Sequence, residues 1–147
     1  MKVTPEILAI VAGAHTIAVV GLSGNPARPS FGVARYLQAQ GYRILPINPG
    51  ESEVLGERAY PSLEQAAEAA GPIDIVDVFR RSEFVPEIAA AAIRVGARLL
   101  WLQEGVAHAE AEAAARAAGL AVVSDLCLLK QHARWRAEEA ARRPEGT

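Results

Sequence analysis

The chain has 147 residues, 51% of them hydrophobic, and its 15 basic and 17 acidic residues give a formal net charge of −2. This length allows one domain with a substantial core, and the near-neutral charge argues against a nucleic-acid-binding surface. The single cysteine, Cys127, excludes an internal disulfide framework and argues against a cysteine-based zinc site, so no metal is expected.

The first residues of the chain are apolar, but they do not predict a membrane segment. Pro5, Glu6 and His15 interrupt them, and no run reaches the roughly 18 apolar residues of a membrane span. No cleavage-like segment precedes the first strand, so no signal peptide is expected. These features predict a cytoplasmic protein with no membrane partner.

Short apolar runs rich in β-branched residues predict the strands of a sheet. Each run is too short for a core helix, and continuous apolar runs are typical of parallel strands that are buried on both faces. The runs are TIAVVGL (16–22), RILPIN (43–48), DIVDVF (74–79), RLLWLQ (98–103) and LAVVSD (120–125).

Alanine-rich stretches with helical spacing separate these runs. Three of them begin at serines able to cap a helix, Ser30, Ser62 and Ser82. The alternation predicts a Rossmann-like, doubly wound, mostly parallel sheet of about five strands with helices on both faces. The predicted helices cover residues 30–40, 62–70, 82–95 and 108–118.

The rest of the chain fits the same domain. Further helices are expected at 4–12 and 126–142, and EVLGERAY (53–60) is expected to be an irregular connection or a short extra strand. No linker interrupts the chain, so residues 1–147 are predicted to form a single domain whose tail, 143–147, is frayed.

The stretch VVGLSGNPARPSFGVARYL (19–37) predicts a strand, a glycine loop and a helix. Such a loop commonly receives a phosphate, because the free N–H groups and the dipole of the following helix face it. A dinucleotide fingerprint would place glycines at 21, 23 and 26 and a carboxylate after the second strand. Ser23, Pro26 and Asn48 depart from that pattern, and no Gly-Lys-Ser/Thr sequence makes a P-loop.

The loop offers polar groups of its own. Ser23, Asn25 and Arg28 are suited to contact phosphates or hydroxyls, and the helix beginning near Ser30 presents unpaired N–H groups. A plain surface connection is the alternative, because loops of glycine and proline are ordinary.

Residues after the other strands should converge on the same crevice in a doubly wound sheet. Arg80 and Arg81, facing Arg28, would form a cationic rim for several phosphates, although adjacent arginines are also typical of a solvated surface. The remaining strand ends read Asn48-Pro49 and Gln103-Glu104-Gly105.

Several motifs in order carry a family resemblance. They are VVGLSGNPARPSFGVARYL, LPINPG, GERAYPSL, IVDVFRRSEFVPEI and GARLLWLQEGV, within residues 5–132. On these motifs the chain resembles the stand-alone CoA-binding proteins. That family is related to the N-terminal CoA-binding domain of succinyl-CoA synthetase α subunits and of ADP-forming acyl-CoA synthetases.

The resemblance implies coenzyme A as ligand and divides the groove into parts. The loop would meet the phosphates, Asn48 and Pro49 would border the adenosine, and Gln103 with Glu104 would approach the pantetheine arm. The implied contact residues are Gly21, Ser23, Gly24, Asn25, Arg28, Asn48, Pro49, Phe79, Arg80, Arg81, Gln103 and Glu104.

Two departures limit what the resemblance implies. The family's closing segment often reads Cys-x-x-x-Glu-His, whereas CLLKQH has Gln131 in place of the carboxylate. The synthetases also use a phosphorylated histidine and a nucleotide-binding module that lie outside the CoA domain. Synthetase activity is therefore not expected of this chain alone.

Candidates for catalysis are few. Glu104 is the best candidate for a general base, Cys127 is expected to be a buried apolar residue, and Asp77 needs a hydrogen-bond partner if it is buried. The histidines are too far apart in sequence to indicate a metal site or a triad; they are His15, His108 and His132.

Three functions follow from these observations. Binding of CoA or an acyl-CoA by a non-catalytic binding, carrier or sensor module leads. An enzyme acting on acyl-CoA thioesters, alone or with a nucleotide-binding partner, is the alternative, and an NAD(P)-linked redox protein ranks third because no carboxylate ends the second strand. A homo-oligomer and a synthetase-like partner chain both remain open.

Overall fold

A computed structural model describes residues 2–143, and its centre is a five-stranded sheet. Every pairing in this sheet is parallel. The strand order is β2-β1-β5-β6-β7, which confirms the predicted Rossmann-like α/β fold. The strands are β1 (Thr16–Val20), β2 (Arg43–Ile47), β5 (Ile75–Val78), β6 (Leu99–Leu102) and β7 (Ala121–Val123).

Within the described residues, six α-helices cover the sheet on its two faces, which explains why the strands are mostly apolar, with Asp77 on β5 as a buried exception. Helices α3, α4 and α5 share a core with residues such as Ala18 and Val76, and this is called the first face. Helices α1, α2 and α6 pack with Ile17 and Ile75 on the second face. The helices are α1 (Pro5–Gly13), α2 (Pro29–Ala39), α3 (Leu63–Ala70), α4 (Val85–Arg94), α5 (Ala109–Ala117) and α6 (Leu128–Arg142). None of the helices within residues 2–143 combines the length and apolarity of a bilayer span.

The segment predicted as a connection or an extra strand forms a small hairpin of its own. Strands β3 (Glu53–Val54) and β4 (Glu57–Arg58) pair antiparallel. Leu55 and Gly56 turn the chain between them with φ of 54° and 78°. Beyond the hairpin, Tyr60 forms a bridge with Ile47, which ties the segment to the edge of the main sheet.

Two of the predicted serine caps are wrong. Of the three serines, Ser62 alone caps a helix, accepting from the Gln65 N–H at 3.2 Å. Helix α2 begins at Pro29 with Arg28 at its N-cap, and Ser30, within its first turn, accepts through Oγ from the Ser23 N–H of the loop. The stretch at 82–95 starts as a 3₁₀ turn, Ser82–Phe84, and Ser82 Oγ instead accepts from Ala107 N–H. Of the tail predicted to fray, residues 144–147 lie outside the described residues.

The parallel register brings four strand ends together at one edge of the sheet. Val20 lies level with Ile47 on one side and with Val78 on the other. Val78 in turn lies level with Leu102. These four strands therefore end level with one another. The residues that follow them are Gly21, Asn48, Phe79 and Gln103.

Candidate functional site

Gly21 begins the loop after β1 in a conformation that suits only glycine. Its φ is +85°, and a Cβ at this position would collide with the carbonyl oxygen of Phe79. The N–H of Gly21 also donates to the Ile47 carbonyl at 2.8 Å, extending the ladder with β2. The backbone of the loop therefore runs closely over the ends of both neighbouring strands.

The polar residues of the loop hold the loop itself in shape. Ser23 N–H donates to Ser30 Oγ at 3.1 Å, and Ser23 Oγ accepts from Asn25 N–H at 3.1 Å. Asn25 Oδ1 accepts from Ala27 N–H at 3.0 Å. These bonds are internal to residues 23–30, so the loop's own side chains fix its course.

The loop leads into the N-terminus of α2, which faces a first cavity. Arg28 is the N-cap and Pro29 the first helical residue, with no acidic side chain in the first turn. A helix N-terminus without a carboxylate attracts anions through its N–H groups and dipole. The cavity has a volume of about 260 Å³ and is lined by Gly21, Ser23, Arg28, Pro29, Ser30 and Phe79.

A second cavity of about 330 Å³ opens on the first face, beside the ends of β1 and β2. Pro49, Pro61 and Ile88 give it apolar walls. Arg80 stands at this cavity with its guanidinium carbon 4.2 Å from the centroid of the Phe84 ring. Glu64, Glu87 and Arg94 also line this cavity, and Arg94 pairs with Glu64 at 2.8 Å. Apolar walls beside the Arg80 guanidinium suit an aromatic ring joined to an anion.

Asn48 connects the turn after β2 to the glycine loop. Its Nδ2 donates to the Leu22 carbonyl at 3.0 Å, and its Oδ1 accepts from Gly50 N–H at 2.9 Å. Glu51, on the same turn, accepts a hydrogen bond from the N–H of Gly24 through its carboxylate. Both segments are therefore held against each other at the rim of the crevice.

The three predicted arginines occupy different positions. Within residues 2–143, Arg28 and Arg80 form no ion pair, so their guanidinium groups are available to an anion. Arg81 pairs with Glu83 at 3.2 Å, and its side chain is 78% exposed. Arg81 lines neither cavity, although its guanidinium carbon lies 5.4 Å from the centroid of the Phe84 ring. Its exposure and its pairing with Glu83 fit the solvated-surface alternative better than the cationic rim.

Gln103 points into the protein rather than across the groove. It is 4% exposed, and its Nε2 donates to Asp77 Oδ1 at 2.5 Å. Asp77 is completely buried on β5, and its Oδ2 has no hydrogen-bond partner among the described residues. Burial raises the pKa of Asp77 to about 7, and the bond from Gln103 only partly opposes this.

Glu104 lies at the surface after β6 in contact with α6. Both of its oxygens are within reach of Lys130 Nζ, at 3.1 and 3.2 Å. The two side chains are exposed, Glu104 by 58%. An ammonium therefore occupies both oxygens of the best candidate for a general base, at a site open to water.

The other candidates for chemistry are structural. His132 is buried on the second face, and its Nδ1 is hydrogen-bonded to Tyr36 Oη at 2.8 Å. Burial lowers the pKa of His132, and the positive charge of Arg136 lowers it further. The Tyr42 ring contacts the His132 ring, and Tyr42 comes just before β2. His132 therefore lies at the amino ends of the strands, opposite the crevice. Cys127 is buried, as predicted. Within residues 2–143, no three His, Cys, Asp or Glu side chains are grouped as a metal site requires.

Sequence reasoning missed several walls of the second cavity. Pro61, Phe84 and Ile88 belong to segments before and within the helices of the first face. Ile88 carries no signal beyond its place on the apolar side of α4. Phe84 had one available signal, because an aromatic residue a few positions after two arginines can stack beneath a guanidinium.

These features define a Rossmann-like α/β domain with a crevice at the carboxyl ends of its strands, where such folds bind ligands. The family model described as "CoA binding domain" matches residues 15–133. The chain therefore belongs to this CoA-binding domain family.

Individual proteins are also similar to this chain. The Bacillus subtilis protein YneT is 43% identical over 128 residues, covering 87% of this chain and 93% of YneT. A solved structure from Thermus thermophilus is 42% identical with a TM-score of 0.80, covering 88% of this chain and 96% of that one. An ADP-forming acetate–CoA ligase of Archaeoglobus fulgidus is 26% identical over 83 residues, which are 55% of this chain and 12% of the ligase.

Proposed function

We propose that the protein binds coenzyme A or an acyl-CoA in the crevice at the carboxyl ends of its strands. The observation that carries the proposal is the pairing of an ordered glycine loop with two guanidinium groups, Arg28 and Arg80, that form no ion pair within residues 2–143. Membership in the CoA-binding domain family supports the identity of the ligand.

The parts of CoA match the parts of the crevice in polarity. Its pyrophosphate would lie on the loop 21–28 and the N-terminus of α2, where N–H groups favour anions. Its adenine would enter the cavity between Pro49 and Pro61, with Arg80 beside a phosphate. The pantetheine arm would then run past Phe79 toward Glu104, over the buried Gln103. In this arrangement Ser23, Gly24, Asn25 and Asn48 shape the site, and Arg81 contributes little.

The proposed role is that of a non-catalytic binding, carrier or sensor module. Glu104 follows β6 at the proposed pantetheine end, and its oxygens are engaged by Lys130. A carboxylate held in this way is suited to form a wall of the groove. We further propose that the protein works in the cytoplasm, as a homo-oligomer or beside a synthetase-like chain that supplies nucleotide chemistry.

Native mass spectrometry of the full chain purified from cells tests the proposal. A co-purifying mass equal to CoA or an acyl-CoA is expected, and the same spectrum gives the oligomeric state. Added CoA should also stabilise the folded chain by about 2.7 kcal/mol at 100 times its dissociation constant. A thermal melt that millimolar CoA does not move, together with no heat of binding in calorimetry, would refute the proposal.

A further inference from the structure

Glu51 reaches the glycine loop from outside it. Its carboxylate accepts a hydrogen bond from the N–H of Gly24, in the middle of the loop proposed to hold phosphates. The backbone around Glu51 is fixed, because its own N–H donates to the Asn48 carbonyl at 3.2 Å. Asn48 is in turn bonded to Leu22 at the start of the loop. The contact therefore joins two ordered segments.

The Glu51 carboxylate is an anion where the crevice offers a backbone donor. Within residues 2–143 it forms no ion pair, although Arg28 and Arg80 belong to the same crevice. The group that donates to this carboxylate is a backbone N–H, and phosphate oxygens accept hydrogen bonds from such groups. A phosphate oxygen and this carboxylate cannot both accept from the Gly24 N–H, because two negative charges placed so close together repel each other strongly.

We propose that Glu51 is a specificity-determining residue of the crevice, because a phosphate must displace its carboxylate from Gly24 whereas an uncharged group need not. The inference rests on the proposed function, since it concerns the same crevice. A like charge placed against a ligand is a common way to discriminate between ligands. The Glu51 carboxylate therefore makes the wild-type affinity for CoA lower than it would be if the loop and the two arginines acted alone.

The variant Glu51→Gln separates this reading from a purely structural one. Glutamine keeps the side-chain length and can still accept from Gly24 through Oε1, but it carries no charge. Glu53→Gln is the matched control, because Glu53 is exposed on β3, two residues further on, and has no hydrogen bond from its side chain among the described residues. Both variants change the net charge by the same amount.

Titration calorimetry of the full chain with CoA and, separately, with inorganic pyrophosphate tests the inference. Glu51→Gln should bind both probes about tenfold more tightly than wild type, and Glu53→Gln should change either affinity less than twofold. The Gly24 amide resonance in NMR spectra should move when pyrophosphate binds. Unchanged or weaker binding by Glu51→Gln, or an equal gain in Glu53→Gln, would overturn the inference.

The two probes keep the inference apart from the proposed function. If pyrophosphate binds Glu51→Gln more tightly while CoA binds neither protein, the role of Glu51 stands and the CoA proposal fails. If CoA binds wild type and Glu51→Gln equally, the CoA proposal stands and the role of Glu51 fails. Absence of binding by both probes to both proteins refutes both.

Discussion

The buried Asp77 should make the stability of the fold depend on pH in a direction opposite to that of most carboxylates. Burial raises its pKa from 3.8 to about 7 in the folded protein. Between pH 3.8 and about 7, Asp77 therefore keeps its proton in the folded protein but loses it in the unfolded chain. Its effect on stability is therefore absent below pH 3.8 and becomes increasingly unfavourable as the pH rises toward 7.

The magnitude follows from the size of the shift. Roughly 3 pKa units at about 1.4 kcal/mol each amount to about 4 kcal/mol of lost stability once the pH exceeds the folded value. Asp77→Asn has nearly the same shape and carries no charge at any pH. Its Oδ1 can still accept from Gln103, so the variant should retain the bond that the structure shows.

Urea unfolding of wild type and Asp77→Asn, followed by circular dichroism from pH 4.5 to 8, measures the effect. The free energy of unfolding of the variant minus that of wild type should rise by about 1.4 kcal/mol per pH unit up to about pH 7 and then level off. Taking the difference removes every other titrating group. A difference that stays flat across this range would show that Asp77 ionises normally, and the argument from burial would fail.

Three further predictions concern the crevice. Arg28→Ala and Arg80→Ala should each weaken CoA binding by about 1.5–3 kcal/mol in calorimetry. Arg81→Ala, which loses the exposed pair with Glu83 and a contact with the Phe84 ring, should change the affinity little, and equal losses at all three positions would contradict the assignment. Gly21→Ala should lower the free energy of unfolding by about 1–3 kcal/mol, because its φ of +85° strains alanine, and an unmoved denaturation midpoint would count against the close approach to Phe79. Purified protein should not hydrolyse a panel of acyl-CoAs, and turnover above about 1 s⁻¹ that disappears in Glu104→Gln would favour an enzyme.

The fold was predictable because its signals are local. Apolar runs such as TIAVVGL mark strands buried on both faces, and the glycines that follow the helices mark their ends. Gly41 and Gly119, for example, have φ of 100° and 99° after α2 and α5. The misplaced caps at Ser30 and Ser82 were less predictable, because each hydroxyl bonds to another segment. Sequence spacing cannot tell which of two acceptable donors a hydroxyl will meet.

The candidate site was predictable in its location but not in its details. Gly21, Asn48 and Phe79 end neighbouring parallel strands, so the fold alone brings them together. Side-chain direction was not predictable: Gln103 turns inward to Asp77. The guanidinium groups of Arg80 and Arg81 both lie over the Phe84 ring, but of the two Arg81 alone forms an ion pair within the described part of the chain, with Glu83. Such choices depend on contacts between residues far apart in the chain.

The strand order explains why the crevice lies where it does. After β1 the chain enters α2 on the second face, whereas after the neighbouring β5 it enters α4 on the first face. Adjacent strands whose helices leave on opposite faces open a gap at their carboxyl ends. Gly21 and Phe79 border this gap, with one cavity beside α2 and the other beside α4. This placement favours the proposed extended ligand, with charged and apolar parts, over a compact anion such as phosphate.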